Sequence, residues 1–234
     1  WPETVVTTVL NYDRASAARV AAVATRLHAW LLAGSLNYHD GRDYNAMFLY
    51  DPTGSLAAVY DKRQLVPFAE HFPARAWLGW LPYTNLISDF GSGTADAVLP
   101  AGTMRFGPLI CWESAFSDEA YAQVRGGAQF FVIATDDAWF GETAGPYQHA
   151  QIARLRAVEF GTWIVRAAST GVSGIIAPDG RYVEATDLDR EASVLGTIGA
   201  PPGSVFAHIG PTPIGVACVV LYVALLWATT LRKS

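Results

Sequence analysis

Apolar and polar positions recur along this chain with two periods, and the switches between them mark its elements. From Arg14 to Leu32 an alanine-rich run puts Val20, Val23, Leu27 and Trp30 (or Leu31) on one face, which predicts an amphipathic helix. Leu31–Tyr38 and Tyr44–Tyr50 read as strands around a polar turn at His39-Asp40-Gly41-Arg42. Asp51-Pro52-Thr53-Gly54 then turns the chain into a third strand, Ser55–Tyr60. Residues 63–100 have little periodicity but hold Phe68, Phe72, Trp77, Leu78, Trp80, Leu81 and Tyr83. Irregular stretches this long are lids, binding loops or disorder, and the aromatic content argues against disorder. Two readings stand: these side chains pack down onto the domain, or they form a greasy lid beside an active site.

The second half alternates more regularly. Thr103–Ile110 reads as a strand that stops at Cys111, and Ser117-Asp118-Glu119 caps a short helix ending at Gly126-Gly127. Gln129–Ala134 is apolar enough for a strand buried on both faces. Thr135–Gly141 turns at its C-terminal end, the place where α/β folds put their sites. A helix over Pro146–Phe160, strands Trp163–Ala168 and Val172–Ala177, a Pro178-Asp179-Gly180 turn and a strand Tyr182–Glu184 follow. This order predicts layered α/β sheets with helices outside, a sandwich rather than a barrel.

Ile214–Leu231 is different in kind: 18 residues without a charge, followed by Arg232 and Lys233. At 1.5 Å per residue the run covers roughly 27 Å, close to a hydrocarbon core, so a transmembrane helix is expected. The basic end is expected on the cytoplasmic side, which puts the preceding domain on the opposite face. The expected organisation is a domain over 1–210 and a membrane helix over 211–234. Trp1 and its neighbours read as mid-domain sequence, so a fragment or processed product is expected.

The net charge of −5 and the lack of a Lys/Arg cluster argue against a nucleic-acid partner. The two cysteines, Cys111 and Cys218, do not make a disulfide framework, because Cys218 lies in the apolar tail. Cys111 ends a strand-like run and is followed by Trp112-Glu113 and a helix start. A thiol so placed is either a buried structural cysteine or a nucleophile aimed into a cleft. Glu3, Lys62, Glu70 and Glu113 could serve it, since a carboxylate can take the thiol proton and an ammonium can stabilise a thiolate and an oxyanion. An assembled site of that kind is expected to lower the thiol pKa from about 8.5. A Cys–His dyad using His71 or His149 remains open. The five histidines show no close metal-ligand pairing, so no metal and no cofactor are expected.

Trp1-Pro2-Glu3, Tyr60-Asp61-Lys62 with Leu65-Val66-Pro67-Phe68-Ala69-Glu70, and Ile110-Cys111-Trp112-Glu113 resemble the nitrilase (carbon–nitrogen hydrolase) superfamily. More narrowly, the chain resembles the superfamily's apolipoprotein N-acyltransferase branch. Asp137-Ala138-Trp139-Phe140-Gly141, Gln148-His149-Ala150-Gln151 with Arg154 and Arg156, and the apolar C-terminal helix are similar to that branch too. The resemblance implies a four-layer α-β-β-α sandwich, with the first strands and an N-terminal membrane bundle outside this chain. It implies Glu3 as general base, Lys62 as oxyanion and thiolate stabiliser, Cys111 as nucleophile and the Trp112 N–H as a second oxyanion donor. Glu70 and Glu113 match acidic positions around the site.

The implied reaction moves an acyl chain from a phospholipid donor, through a thioester, to a diacylglyceryl lipoprotein acceptor at the bacterial inner membrane, on its extracytoplasmic side. Trp77, Leu78, Trp80 and Leu81, with Trp139 and Phe140, are the expected lid and acyl-binding residues. A membrane-anchored amidase acting on a small amide and an inactive truncated domain are the alternatives. The chain departs from the branch at Trp112, where Tyr is common, at Asp136, where Asn is common, and at Ser169-Thr170 in place of an Asn-rich turn.

Overall fold

A computed structural model describes residues 1–82, 84–87, 89–94 and 98–231. Strand β1 (Val6–Val9) leads into helix α1 (Arg14–Leu27), and β2 (Leu31–His39), β3 (Arg42–Tyr50) and β4 (Leu56–Asp61) follow as a meander. After a one-turn helix α2 (Arg75–Leu78) come β5 (Leu99–Ala101), β6 (Met104–Ile110), α3 (Ser117–Arg125) and β7 (Phe130–Thr135). Then come α4 (Gly145–Phe160), β8 (Trp163–Ala168), β9 (Gly174–Ile176), β10 (Tyr182–Ala185), α5 (Val205–Ile209) and α6 (Pro211–Leu231).

The strands form two sheets, ordered β1-β2-β3-β4 and β10-β9-β8-β7-β6-β5. Three apolar layers hold them. Val20 and Ala24 of α1 pack with Ala33, Ala46 and Phe48 on the outside of the first sheet. Met47, Leu49 and Tyr60 meet Leu99, Phe106 and Ile110 between the sheets. Leu109, Phe131 and Ile133 face Ala120, Ala153 and Ala157 of α3 and α4 outside the second. The fold is therefore the α-β-β-α sandwich. Successive residues Leu109 and Ile110 enter different layers, as the two-residue strand period requires.

Helix α1 stops earlier than its periodicity suggests. Asp13 caps its start, accepting from the Ala15 and Ser16 N–H groups at 3.0 and 3.1 Å. His28 closes it in the left-handed conformation, so Trp30 lies outside the helix and Leu31 opens β2. Between β2 and β3 the two-residue turn Asp40-Gly41 has positive φ at both positions, the type that suits a tight hairpin. β1 was not among the expected strands, although Val5-Val6-Thr7-Thr8-Val9 is a β-branched run. It pairs in parallel with β2.

Helix α6 contains Pro211–Ala228, long and apolar enough to cross a membrane, with none of that window buried. Arg232 and Lys233, on which the expected orientation depends, lie outside the described residues.

Candidate active site

Four segments converge where the two sheets meet. Glu3 precedes β1 and Lys62 follows β4, so the first sheet carries both. Cys111 follows β6 and Asp136 follows β7, at the C-terminal ends of parallel strands of the second sheet. All four line one cavity of about 530 Å³. Leu36, Val66, Phe90, Trp112, Phe140 and Ile152 are among its apolar lining residues.

Lys62 is 1 % exposed, and its Nζ lies 2.9 Å from Glu70 Oε1 and 3.4 Å from Glu3 Oε1. Asn45 Nδ2 donates to the same two carboxylates, at 2.6 Å to Glu3 and 3.0 Å to Glu70. The second oxygen of Glu3 accepts from the Asp136 N–H at 2.7 Å, and that of Glu70 from the Val66 N–H at 2.8 Å. Glu3 is thus tied to both sheets. Burial alone would lower the Lys62 pKa, but the Glu3 and Glu70 carboxylates more than offset it and hold the value above the ordinary range. Lys62 is a fixed cation.

Cys111 is also largely enclosed. Burial and then the Glu3 charge push its thiol up to about 12, against the pull of Lys62 and a hydrogen bond with Thr135. The expectation of a lowered thiol pKa is corrected: an assembled site and a depressed thiol are not the same thing. At rest the sulfur keeps its proton, with a carboxylate and a cation beside it. The residue itself sits at φ 50, a left-handed backbone that costs a non-glycine roughly 1–2 kcal/mol.

Glu113 lies behind the cavity wall, fully buried. Its Oε1 accepts from Tyr60 Oη at 2.9 Å and the Arg63 N–H at 2.6 Å, and its Oε2 from the Ile110 N–H at 2.7 Å. Arg63 follows Lys62 and Ile110 precedes Cys111, so one carboxylate ties together the strand ends that carry the ammonium and the thiol. Burial pushes Glu113 up to about 7 despite the hydrogen bonds from Ile110, Arg63 and Tyr60.

Neither candidate histidine forms a dyad with Cys111. His149 is buried, with Nδ1 2.8 Å from Asp137 Oδ1 and Nε2 3.1 Å from the Cys111 backbone oxygen. His71 does not line the cavity. Of the expected lid, Trp139 and Phe140 border the cavity, but Trp77, Leu78, Trp80 and Leu81 do not. Trp77 and Trp80 are 84 % and 78 % exposed, so they are not packed into the core either. Tyr83 lies outside the described residues. Among the described residues, the parts of the irregular stretch that reach the cavity are Val66, Ala69, Glu70 and Phe90.

Residues 1–200 match the carbon–nitrogen hydrolase family. The chain belongs to it. Among the carbon–nitrogen hydrolases it is similar to the apolipoprotein N-acyltransferase of Bradyrhizobium diazoefficiens, at 36% identity over all of this chain and 45% of that protein. The apolipoprotein N-acyltransferase of Allorhizobium ampelinum is 37% identical over 89% of the chain and 41% of its own length. The chain thus spans less than half the length of these relatives. A carbon–nitrogen hydrolase from Helicobacter pylori G27 shares the fold with a TM-score of 0.63 at 16% identity, over 79% of this chain and 67% of the other.

Sequence reasoning on this carbon–nitrogen hydrolase missed Asn45 and Arg166, and it named Asp137 and His149 in motifs without seeing that they form one buried set with Arg166. Asn45 had a signal: a polar residue at the start of an otherwise apolar strand. The salt bridge of Arg166 to Asp137, 2.6 Å, joins residues 29 apart and has no local pattern.

Proposed function

We propose that this chain is the catalytic part of an N-acyltransferase that carries a fatty acyl group from phospholipid to the α-amino group of a diacylglyceryl-cysteine on a lipoprotein. One observation carries the proposal: Glu3, Lys62 and Cys111 line the same largely apolar cavity. The likeness to proteins named apolipoprotein N-acyltransferase narrows the acceptor class. The long exposed apolar helix α6 favours a lipid donor, and in this reading it spans the membrane with its basic end cytoplasmic and the sandwich outside.

In the first half-reaction Cys111 Sγ attacks the ester carbonyl carbon while Glu3 takes the thiol proton. Because the resting thiol is protonated, removal of that proton accompanies attack. The Lys62 ammonium and the Trp112 N–H hold the oxyanion. Collapse breaks the ester C–O bond, and the proton on Glu3 passes to the departing lysophospholipid oxygen. In the second half the acceptor amine attacks the thioester, Glu3 removes a proton from the nitrogen, and the sulfur leaves and is reprotonated as the amide forms. The apolar walls exclude water, which would otherwise hydrolyse the thioester.

Mass spectrometry of the Cys111 peptide tests the scheme in the membrane protein that carries this chain. Given phospholipid and no acceptor, the protein should accumulate one acyl thioester and stop. C111S should form none, and K62A should slow formation by about 10²–10³. E3Q should block formation and transfer together. Acyl on another residue, or steady release of fatty acid without acceptor, would refute the transferase; the second result makes it a hydrolase.

A further inference from the structure

We propose that His149, with Ser114, is a positioning residue that aims the Trp112 N–H at the oxyanion. The inference rests on the reading above, in which that N–H is a donor to the tetrahedral intermediate.

The backbone oxygen of Cys111 accepts from Ser114 Oγ at 2.8 Å, and His149 Nε2 lies 3.1 Å from the same oxygen. The Cys111–Trp112 peptide is trans and planar, so its C=O and N–H point from opposite edges of one rigid plate. Fixing the carbonyl fixes the N–H. At Cys111 the plate needs fixing, because the left-handed conformation is one a non-glycine residue does not hold by local preference. Rotation of the peptide would swing the Trp112 N–H away from the substrate while leaving the thiol side chain in the cavity.

The grip is anchored in depth. Asp137 can only accept, so His149 Nδ1 donates to it, and that contact aims Nε2 at the Cys111 oxygen and at Ser114 Oγ, both 3.1 Å away. Asp137 is held in turn by Arg166 Nη2 at 2.6 Å and by Thr135 Oγ1 at 3.0 Å, and Arg166 Nε donates to the Val172 oxygen. The close approach leaves no room at Gly171, where a Cβ would fall 2.0 Å from Asp137 Oδ2. Helix α4, the end of β7 and β8 thus all bear on one peptide plane. The acyl steps assign no role to His149, Asp137, Arg166 or Ser114.

Two rates on the membrane protein carrying this chain separate positioning from general structure. One is single-turnover thioester formation on Cys111 from phospholipid. The other is alkylation of Cys111 by iodoacetamide, which makes a C–S bond without an oxyanion. H149L should slow thioester formation by about 10- to 100-fold, less than deleting an oxyanion donor outright, and leave alkylation unchanged. H149Q, whose amide N–H can reach the Cys111 oxygen, should recover most of the loss. S114A should show the same selective defect, and it decides the matter if H149L does not fold. Wild-type acylation in S114A or H149L, parallel loss of alkylation, or an H149Q no better than H149L would each overturn the inference. A wild-type protein that alkylates but forms no thioester overturns the functional reading, and this inference with it. A wild type that acylates while the variants match it overturns this inference alone.

Discussion

A single added methyl group tests where the base stands. Gly34 lies in β2 against the turn that carries Glu3, and a Cβ built there would sit 2.3 Å from the Pro2 oxygen, 2.7 Å from Glu3 Cα and 2.7 Å from the Thr4 nitrogen. All three are backbone atoms, so no side-chain rotation relieves the contact. Restoring a normal van der Waals separation of about 3.5 Å moves the Glu3 segment by roughly 1 Å. Glu3 is held by short hydrogen bonds from Asn45 and the Asp136 N–H, and a shift of that size breaks or stretches both. A 1 Å misplacement of a catalytic group can cost on the order of 10²-fold in rate. Overpacking costs about 1–3 kcal/mol, against a total stability of about 5–15, so G34A should remain folded. At about 2–4 °C per kcal/mol its melting point should fall by several degrees. The assay is the single-turnover rate of Cys111 thioester formation, measured beside a thermal melt. We expect a rate about 100-fold below wild type in a protein that still melts cooperatively. A rate close to wild type would refute the reasoning, because the base would then tolerate displacement or would not be Glu3.

Alkylation of Cys111 by a neutral reagent should climb about tenfold per pH unit from pH 7 to 10 with no plateau, because only the thiolate reacts and the thiol is held up to about 12. E3Q should lower the apparent pKa by removing the adjacent negative charge, and a wild-type plateau near pH 8–9 would contradict this. Glu113, at about 7 when folded against about 4.3 when unfolded, ionises first in the unfolded chain, so its contribution to stability falls as pH rises between those values. E113Q should flatten that slope in a melt-versus-pH series, and its amide, turned toward the Ile110 N–H, should cost about 1–3 kcal/mol. W77S with W80S should leave the melt nearly unchanged, since both side chains are exposed, while slowing turnover of phospholipid in vesicles; a large drop in melting temperature would show that they support the fold. A reporter fused after Ser234 should be cytoplasmic, and an extracytoplasmic signal would reverse the orientation proposed for α6.

The parts of this molecule that sequence reasoning reached are those whose physics is local. The meander β2–β4, the strand ending at Cys111 and helix α4 follow from period, turn residues and caps within a few positions of each element. Glu3, Lys62 and Cys111 are 59 and 49 residues apart, and no periodicity connects them; motif resemblance did. The end of α1 was misplaced because alanine-rich sequence continues the helical pattern while His28, in a left-handed turn, ends the helix. The lid is expected at Trp77, Leu78, Trp80, Leu81, Trp139 and Phe140 on composition, which reports greasiness but not direction; Trp139 and Phe140 border the cavity with Val66, Ala69 and Phe90, and the other four do not. Asn45, Asp137, His149 and Arg166 act through contacts across elements, and burial charge effects such as that on Cys111 appear only when the layers close.

The protonated state of Cys111 also bears on how the protein survives between turnovers. Thiolates, not thiols, attack peroxides and disulfides, so a sulfur held up to about 12 presents almost no reactive form to them. In the proposed mechanism Glu3 takes the thiol proton when an ester carbonyl is in place, while its charge raises the thiol pKa when none is there. The same carboxylate therefore acts as a safety catch against oxidation. An exposed nucleophile with a low pKa would be open to sulfenic acid formation and mixed disulfides throughout its idle time.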